Sequence, residues 1–471
     1  MRVNDAPSTG AAPRVLVIAP VFAPASPIGT MRTLRLVRRM DADGWRATVL
    51  TATPGTYLPT MPQDPALLER VPPAVDIRHA PVLRPIERLN KMLRPQRSRP
   101  VPSPGTGEAV AVRPRSWYRE LYAVVDELTS IPDREIGWVL PAILSSMSIV
   151  RSQRPRVIYS TAPPWSAQVA AYAVAKLSGL PWVADFRDPW ARAPWRENQP
   201  ERQRRAAARL ESRVVRRADA ILFATPANRH EYASHYGPEA ARKFFVVPNG
   251  CDPDEFAGRS RPADSETFTL VHAGSLYGAR TPVPLFEAIA SMVSKGLVRR
   301  DKFRLRLIGT STLDRDLDQA LSQHNLDDVV QRLPRMPRRE IVDAMASASA
   351  LLVLQPGTTV SIPGKIYEYF ALGKPVLALC EEGDTAELVR ASGAGVAVTS
   401  PDAGAVEDGL VELLRLREHP VVPAHRDLYD GTRFAGEALA VIAAVAGARN
   451  GDADQARRVT AGGAAVEKAG E

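Results

Sequence analysis

The chain has 471 residues, of which 45% are hydrophobic and 24% charged, and a globular chain of this length favours two domains over one core. Its net charge of +9 suits an anionic substrate or membrane surface, but no nucleic-acid-binding motif accompanies the charge, which argues against a nucleic-acid partner. The two cysteines, Cys251 and Cys380, lie far apart without metal-ligand spacing, so we expect neither a disulfide framework nor a metal site.

The chain shows no secretory or membrane-spanning pattern. It does not begin with a charged and then apolar signal segment. The longest apolar run, at 137–150, is too short to cross a bilayer and is interrupted by Pro141. We therefore expect a cytoplasmic protein that is at most peripheral on the inner face of the cytoplasmic membrane.

The first half of the chain alternates short apolar runs with longer amphipathic segments. Nearly continuous apolar character is typical of parallel strands covered on both faces. Such strands are predicted at 14–20, 46–52, 156–160, 182–186, 220–225 and 244–248. Helical periodicity is clearest at 30–40 and 201–218, and in the second segment Ala206, Leu210 and Val214 share one predicted face.

A Pro- and Arg-rich stretch at 83–116 has no periodicity. We interpret it as a basic insertion in the first domain. Its cations are expected to contact an anionic membrane surface.

The alternation restarts after a polar linker that follows "PNGCDPDEF" at 248–256. The second set of strands is predicted at 268–274, 303–309, 328–333, 350–355, 375–380 and 395–399. Two such arrays predict an α/β protein with two doubly wound domains. Their predicted bounds are 13–255 and 265–430, followed by a helix at 431–446, with disordered tails at 1–12 and 447–471.

Ligands of open α/β sheets lie at the carboxyl ends of the strands. After the first predicted strand, Gly29 and Thr30 open a helix, where free backbone N–H groups can approach a ligand. The G-x-G-x-x-G fingerprint and the Walker lysine pattern occur nowhere in the sequence, which disfavours nicotinamide, flavin and Walker-type nucleotide sites.

A group of charges follows another predicted strand, in "ADFRDPWAR" at 184–192. Asp185, Arg187 and Asp188 lie in this turn, with Trp190 just after them. One interpretation is a structural salt-bridge cluster. The other is a sugar or acid/base site, in which carboxylates accept from hydroxyls, the guanidinium donates and the indole stacks on a pyranose.

The second domain begins with "HAGSLYGAR" at 272–280. Gly274 lets the backbone approach a ligand, and Arg280 stands just before a helix whose start is marked by Thr281-Pro282. His272 is interpreted as a core histidine rather than a catalytic one.

The stretch "SIPGKIYEYFALGKPVLAL" at 361–379 predicts a short helix with Lys365 at its first turn. A cation there is unfavourable unless an anion lies opposite. Lys365 and Glu368 share a face, so a diphosphate could meet Lys365 while Glu368 accepts hydrogen bonds from ribose hydroxyls. The alternative is a solvated ion pair between Lys365 and Glu368.

Four motifs together resemble the retaining GT-B glycosyltransferases of family four (glycosyl transferases group 1), in the bacterial branch for polysaccharides and lipid-linked glycans. The resemblance extends over about residues 13–445. The motifs are "ADFRDPW", "VVPNGCDPDEF", "HAGSLYGAR" and "IPGKIYEYFALGKPVLA". It implies two Rossmann-like domains facing across a cleft, with the final helix crossing back to the first domain.

The resemblance also implies site roles, without a cofactor or a metal. A nucleotide-sugar donor would lie against Gly274, Arg280, Leu333, Gly364, Lys365 and Glu368. A sugar or lipid-linked acceptor would lie against Gly29, Thr30, Asp185 and Arg187. The catalytic residues would be Asp188, which orients or deprotonates the acceptor hydroxyl, together with Lys365 and Arg280, which face the diphosphate.

One departure from the family pattern is Val360, which stands where the family has the first of two glutamates. Two other functions remain open. One is a nucleotide-sugar epimerase or hydrolase, which the same double-Rossmann scaffold could also support. The other is a non-catalytic scaffold for glycan assembly, which Val360 makes conceivable.

Overall fold

The computed structural model of the chain describes residues 12–26, 28–56, 61–84, 131–259, 266–400, 402–418 and 425–448. The predicted tails and the predicted insertion therefore lie outside the described residues, apart from positions 12, 83, 84, 447 and 448. Of these, Arg84 belongs to the basic insertion predicted from sequence. Its guanidinium lies 3.1 Å from the carboxylate of Glu135, so this cation is engaged within the fold.

The first domain is built on a seven-stranded parallel sheet with the order β3-β2-β1-β4-β5-β6-β7. The strands are β1 Arg14–Ile18, β2 Arg46–Ala52, β3 Asp76–Ala80, β4 Val157–Ala162, β5 Trp182–Phe186, β6 Ala220–Phe223 and β7 Phe244–Val246. All but β3 were predicted from sequence. That strand lies at the sheet edge, and its polar sequence DIRHA is mostly accessible, so it lacks the apolar run that marks a buried strand.

Helices cover both faces of this sheet. They are α1 Ile28–Ala42, α2 Ala66–Glu69, α3 Val139–Gln153, α4 Ser166–Ser178, α5 Glu201–Arg217, α6 Pro226–Tyr236 and α7 Pro238–Ala241. The short helix α8 Pro253–Phe256 follows β7, and its Phe256 is buried in the core of the second domain. Short 3₁₀ helices occupy Ile136–Trp138 and Pro194–Arg196. The longest apolar run forms α3, and in the described part of the chain no helix is both long and apolar enough to cross a membrane.

The face that α5 buries differs from the predicted one. Ala207, Glu211 and Val214 are buried, whereas Ala206 and Leu210 are only partly covered. Of the predicted face, Val214 is buried and Leu210 packs against the core with partial cover. The prediction did not include Glu211, whose carboxylate accepts internal hydrogen bonds that apolar periodicity does not reveal.

The second domain is built on a six-stranded parallel sheet with the order β10-β9-β8-β11-β12-β13. The strands are β8 Phe268–Ala273, β9 Phe303–Ile308, β10 Val330–Leu333, β11 Ala350–Gln355, β12 Val376–Cys380 and β13 Gly395–Val398. Each was predicted to within two residues at either end. The central strands β11 and β12 carry nearly continuous apolar runs, as strands buried on both faces do, whereas β9 alternates and the edge strand β10 is largely exposed.

The remaining helices follow the strands of the second sheet, and the last one returns to the first. They are α9 Val283–Ser294, α10 Asp314–His324, α11 Arg338–Ala346, α12 Lys365–Ala371, α13 Asp384–Ala391, α14 Ala403–Glu418 and α15 Gly431–Ala448. Short 3₁₀ helices occupy Arg300–Lys302 and Arg426–Leu428. Together with the two sheets, they form the predicted α/β architecture of two Rossmann-like domains.

Strand order reverses next to the first strand of each sheet. The reversals lie between β1 and β4 and between β8 and β11. Connections leave such a reversal in opposite directions and open a crevice at the carboxyl ends of the strands, where open α/β sheets bind ligands. The motifs that follow β1, β5, β8 and β11 therefore lie where the fold places a site.

The chain crosses between the two sheets twice, and the two crossings are hydrogen-bonded to each other. The backbone N–H of Cys251 donates to the carbonyl of Tyr429 (2.8 Å), and that of Gly431 donates to the carbonyl of Cys251 (2.7 Å). Gly250 has φ +62°, and a Cβ there would lie 2.5 Å from the Cα of Gly431. A side chain at position 250 would therefore force the crossings apart.

The last helix, α15, completes the core of the first domain. It packs along α1, and Phe434, Ala438 and Ile442 are buried with residues of the first sheet such as Val17 and Val49. The first domain is thus made from two separate parts of the chain.

Candidate active site

Asp185 ends β5 as the centre of a buried hydrogen-bond network. It is completely buried, and its carboxylate accepts from Nε and Nη2 of Arg32 (2.9 and 2.8 Å) and from the hydroxyls of Tyr159 and Thr161 (both 2.8 Å). Burial alone would raise the pKa of Asp185, but the charge and hydrogen bonds of Arg32 hold it below its usual value. Of the two sequence interpretations, Asp185 fits the structural salt bridge, since its carboxylate does not face a cleft.

Arg32 connects this network to the first interdomain crossing. Its Nη1 donates to the carbonyls of Val247 (2.9 Å) and Pro248 (2.7 Å). The end of β5 and the segment that leads to the second domain are therefore fixed by one guanidinium.

Three of the predicted acceptor-side residues meet at the end of β1. The guanidinium of Arg187 lies over Gly29, where a Cβ would come within 1.3 Å of its Nη1. Arg187 is anchored through Nε to the carbonyl of Ala162 (3.2 Å). Next to Gly29, the side chain of Thr30 is fully buried, and its hydroxyl has no hydrogen-bond partner among the described residues. Gly29 is thus required by a close approach of the guanidinium.

Asp188 is the accessible carboxylate of the predicted turn. Its side chain is half-buried, and within the described ranges no hydrogen bond or ion pair engages its carboxylate. Burial raises its pKa, and Arg187 only partly opposes that shift. A carboxylate with a raised pKa is a stronger base than an ordinary aspartate, which suits proton abstraction from a hydroxyl.

Trp190 does not offer a face to a sugar. It is completely buried and stacked on Trp165, with ring centroids 4.8 Å apart and planes 6° from parallel. The predicted pyranose-stacking role of Trp190 was therefore wrong. The indole instead packs in the core of the first domain, against Trp165 and Phe186.

Lys365 lies at the carboxyl end of β8, against the backbone of Gly274. A Cβ at position 274 would come within 2.1 Å of its Nζ, so glycine makes room for the ammonium. Lys365 is half-buried, and it has no hydrogen-bond or ion-pair partner in the part of the chain that the structure describes. Burial and the nearby Arg280 lower its pKa to about 8, against a smaller opposing effect of Glu368. A partly desolvated, unpaired cation favours an external anion.

Arg280 supplies a second positive charge at the same crevice. Its Nη2 donates to Oε1 of Gln355 (2.8 Å), the last residue of β11, and its guanidinium lies 5.0 Å from the ring centroid of Tyr277. Gln355 is in turn fixed by a hydrogen bond from its Nε2 to the hydroxyl of Ser361 (3.1 Å). The guanidinium is therefore positioned between the ends of β8 and β11.

His272 is a core residue, as predicted. It is 1% exposed, its Nδ1 lies 3.0 Å from the carbonyl of Leu352, and burial together with Lys365 lowers its pKa to about 3. The ring is therefore neutral at physiological pH. It adds no charge beside Lys365.

Glu368 is engaged by a residue that the sequence analysis missed. Its two carboxylate oxygens accept from Nη1 and Nη2 of Arg338, both at 2.9 Å. Nε of Arg338 also donates to Glu255 (3.0 Å), next to the first crossing, and its guanidinium lies over the ring of Phe256. The ion pair between Lys365 and Glu368, weighed as the alternative, is not among the contacts of the described residues.

The other predicted donor-side residues border the same crevice. Gly364 directly precedes α12, and half-buried Leu333 ends β10, where its carbonyl accepts from the N–H of Gly309 (3.0 Å). A Cβ at Gly309 would lie 2.3 Å from the carbonyl oxygen of Gly274. The loops after β8 and β9 thus approach closely at these two glycines, and backbone hydrogen bonds from Gly274 to Ile308 (2.8 Å) and from Leu276 to Thr310 (2.9 Å) join them.

Val360 lies where the two domains touch directly. Its carbonyl accepts from the hydroxyl of Thr225 in the first domain (2.8 Å). A second contact joins the same two domains. The N–H of Ala227, at the start of α6, donates to the two carboxylate oxygens of Asp384 (3.1 and 3.2 Å). The position that differs from the family pattern is therefore part of the interdomain contact.

The residues between the two crevices form no evident metal site. In the described ranges, there is no group of three or more His, Cys, Asp or Glu side chains that could hold a metal ion. The positive charge of the crevice in the second domain comes from Lys365 and Arg280.

The lowered pKa of Lys365 predicts a pH dependence. Below a pH of about 8 the ammonium is charged, and above it the amine is neutral, so kcat/KM for an anionic donor is expected to fall as the pH rises through about 8. This alkaline limb should be lost in Lys365→Met, which keeps the length of the side chain. Lys295→Met, at an exposed ion pair with Glu407, should keep it. An alkaline limb that persists in Lys365→Met would contradict the assignment.

Both halves of the chain match known protein families. Residues 103–255 match the family model Glycosyltransferase Family 4, and residues 267–416 match the model Glycosyl transferases group 1. The chain belongs with the GT-B glycosyltransferases of group 1. Its fold and its two crevices agree with this placement.

Individual relatives are more distant. A D-inositol 3-phosphate glycosyltransferase from Kineococcus radiotolerans is 31% identical over 201 residues, which is 39% of this chain and 45% of that protein. The chain thus spans about half the length of this curated relative. The solved structure of Anabaena Alr3699/HepE with UDP and glucose superposes with a TM-score of 0.56 at 14% identity, covering 91% of this chain and 99% of that chain.

The same fold also occurs in another enzyme class. A UDP-N-acetylglucosamine 2-epimerase structure matches with a TM-score of 0.52 at 13% identity, covering 91% of this chain and 95% of that chain. At these identities the likeness concerns the fold alone. The choice between transfer and epimerisation therefore depends on the residues of the site.

Proposed function

We propose that the protein transfers a sugar from a nucleoside-diphosphate donor to an acceptor hydroxyl with retention of anomeric configuration. The observation that carries the proposal is Lys365, a half-buried cation without an internal partner among the described residues, next to Arg280 at the strand-order reversal of the second sheet. An anionic group of the donor would complete this site. A diphosphate has the charge and the size to meet both cations.

Transfer would draw on these charges as the glycosidic bond breaks. The C–O bond to the diphosphate lengthens, the sugar acquires oxocarbenium character, and negative charge develops on the departing diphosphate. Cations that are already in position stabilise this state more than the ground state, because they need no reorganisation. Lys365 and Arg280 are thus the proposed catalytic residues of the donor side.

The acceptor would bind at the crevice of the first domain, against Gly29, Thr30 and Arg187. Its hydroxyl oxygen forms the new bond to the anomeric carbon on the face that the diphosphate leaves, and Asp188 orients this hydroxyl or takes its proton. The burial that raises the pKa of Asp188 supports this role. Asp185 would not contact the substrates. It would be a positioning residue that holds the turn that carries Asp188.

Incubation with labelled nucleotide sugars tests the reaction class. With UDP-, GDP- or dTDP-sugars and no acceptor, we expect at most slow hydrolysis, and with an acceptor sugar or lipid-linked sugar we expect a product with the anomeric configuration of the donor by NMR. Formation of a new nucleotide sugar without acceptor would instead indicate an epimerase. No binding and no turnover with any donor would indicate the scaffold.

Glu368 and Arg338 are expected to affect nucleotide binding in opposite directions. If Glu368 binds the ribose, Glu368→Ala removes charged hydrogen bonds and should weaken nucleoside-diphosphate binding by roughly 1.5–3 kcal/mol, about 10- to 100-fold. Arg338→Ala should strengthen binding, because the guanidinium that occupies Glu368 in the free protein is gone. Calorimetry with UDP, GDP and dTDP measures both effects.

A matched control for Arg338→Ala is its exposed neighbour, Arg339→Ala, which removes the same charge. This control should bind as the wild type does. Unchanged affinity in Glu368→Ala, or weaker binding in Arg338→Ala alone, would contradict the proposed ribose contact.

Catalysis is expected to survive EDTA. Lys365 and Arg280 already place two positive charges where the diphosphate would lie, so no divalent cation is needed to neutralise it. Rates measured before and after dialysis against EDTA check this. Complete loss that Mg²⁺ or Mn²⁺ restores would show that the leaving group depends on a metal.

The proposed acceptor is a sugar or a lipid-linked sugar of cell-surface polysaccharide or glycolipid synthesis. Support comes from the charge of the chain, +9, and from the cations of the 83–116 stretch, which suit contact with the anionic inner face of the cytoplasmic membrane. This contact would bring the acceptor crevice close to a lipid-linked substrate.

A further inference from the structure

A basic pocket of about 440 Å³ lies on the first domain between α5 and α6. Four arginines line it. They are Arg192 from the loop after β5 and Arg209, Arg213 and Arg216 from the second half of α5. Ser212, His235 and Tyr236 complete its polar wall. The volume is within the range of small-molecule sites.

The positive charge of this pocket is not neutralised within the fold. Arg209 and Arg213, one helical turn apart, are exposed and have no hydrogen-bond or ion-pair partner among the described residues. Arg216 donates to the hydroxyl of Ser212 (2.6 Å), and only Arg192 has an acid, Glu231 at 3.1 Å. Like charges one turn apart repel each other, so the arrangement disfavours the empty pocket.

The acid beneath these arginines is engaged by other hydrogen-bond donors. Glu211 lines the pocket, but its carboxylate accepts from the hydroxyls of Tyr232 (2.5 Å) and Tyr236 (2.8 Å) and from the N–H of Ala191 (2.7 Å). Burial raises the pKa of Glu211, which reduces its tendency to carry charge. Arg209 and Arg213, which have no partner among the described residues, therefore remain available to an anion from outside.

We propose that this pocket binds a phosphate group, carried either by a soluble molecule or by a lipid headgroup. Planar guanidinium groups match the oxygens of a phosphate in pairs, and Arg209, Arg213 and Arg216 present three of them on one helix face. The hydroxyl of Ser212 is placed to donate to the same anion. This site is separate from the diphosphate site proposed at Lys365.

The pocket is joined to the loop that carries Asp188. Ala191, whose N–H binds Glu211, and Arg192, which lines the pocket, follow Asp188 by three and four residues. A phosphate drawn in by the arginines would therefore contact the same loop that faces the proposed acceptor.

Histidine NMR provides a test that separates the two anion sites. The chain has seven histidines, of which His235 lines the pocket and His272 lies beside Lys365. With ¹³C-labelled histidine and assignment by His235→Gln and His272→Gln, pyrophosphate is titrated at constant ionic strength. If this pocket binds the anion, the chemical shift of His235 should change saturably with pyrophosphate concentration. This expectation does not depend on whether the signal of His272 also changes.

Two double variants test whether the response of His235 to pyrophosphate arises in this pocket. Arg209→Ala/Arg213→Ala should weaken the response of His235 at least about tenfold, because two charged hydrogen-bond donors are lost. Arg202→Ala/Arg204→Ala removes the same charge from exposed positions of α5 outside the pocket and should leave the response unchanged. No saturable shift at His235, or an equal loss in both variants, would overturn the proposal.

The source of the phosphate is decided with vesicles of phosphatidic acid in phosphatidylcholine. Co-sedimentation that pyrophosphate displaces and that Arg209→Ala/Arg213→Ala lacks would assign the pocket to a lipid headgroup. A saturable shift at His235 without co-sedimentation would assign it to a soluble phosphate. Both results support the pocket.

Discussion

Replacement of Asp185 by asparagine is expected to lower the free energy of unfolding of the first domain by about 3–5 kcal/mol. The carboxylate is completely buried and accepts from Arg32, Tyr159 and Thr161. Asparagine removes the charge and leaves the guanidinium of Arg32 buried without its partner. An uncompensated buried charge costs far more than the loss of a surface pair.

Urea unfolding followed by tryptophan fluorescence measures this loss. All seven tryptophans lie between residues 45 and 195, so the signal reports on the first domain alone. The pKa of Asp185 is held below its unfolded value, so its stabilisation is present at neutral pH and is lost as the pH falls through the folded pKa. In the wild type, the free energy of unfolding should therefore decrease in acid as Asp185 is protonated. In Asp185→Asn this part of the pH dependence should be absent.

Asp188→Asn is the matched control, three residues away. Its carboxylate is half-buried, and no contact engages it among the described residues, so unfolding should change by less than about 1 kcal/mol while transfer slows. Equal stability in the two variants would show that the Arg32–Asp185 pair is not what holds the end of β5.

Replacement of Lys365 by methionine is expected to reduce the turnover rate at saturating donor about a hundredfold, or roughly 3 kcal/mol of activation free energy. In the proposed reaction, the charge opposite Lys365 grows as the diphosphate departs, so loss of the ammonium should affect kcat more than donor affinity. Methionine keeps the side chain in the space that Gly274 leaves open.

The test compares kcat and KM for the donor in the wild type, Lys365→Met and Lys295→Met. Lys295 forms an exposed ion pair with Glu407, so its removal should leave kcat within about twofold of the wild type. A normal kcat with a raised KM in Lys365→Met would assign the lysine to uniform binding of the donor, and no change in either constant would remove it from the site.

The architecture could be predicted because it depends on local patterns. Strands buried on both faces, such as β1 and β11, carry continuous apolar runs, VLVI and ALLVL, and were recognised from sequence. The edge strand β3 was missed because a polar, accessible strand does not differ from a loop in composition. The helix of Lys365 and Glu368 was found from its proline-glycine turn and the apolar run that follows.

The pairing of side chains within the site could not be predicted. Arg32 and Asp185 are 153 residues apart, and Arg338 reaches Glu368 across 30 residues. Such contacts depend on how helices cross and on which face of each helix is buried. Apolar periodicity locates the buried face only to within about one residue, as α5 shows. Sequence therefore identified which residues lie at the strand ends but not which of them engage each other.

The return of α15 to the first sheet reverses the usual order of folding during synthesis. Domains ordinarily fold as the ribosome releases them, beginning at the N-terminus. Here Phe434, Ala438 and Ile442, which close the core around Val17, leave the ribosome only after the whole second sheet. The second domain can fold as a complete unit while the first still exposes an apolar surface along α1. A nascent chain stalled before residue 431 therefore carries a finished second domain and an unfinished first domain, and this apolar surface is where a chaperone is expected to bind it.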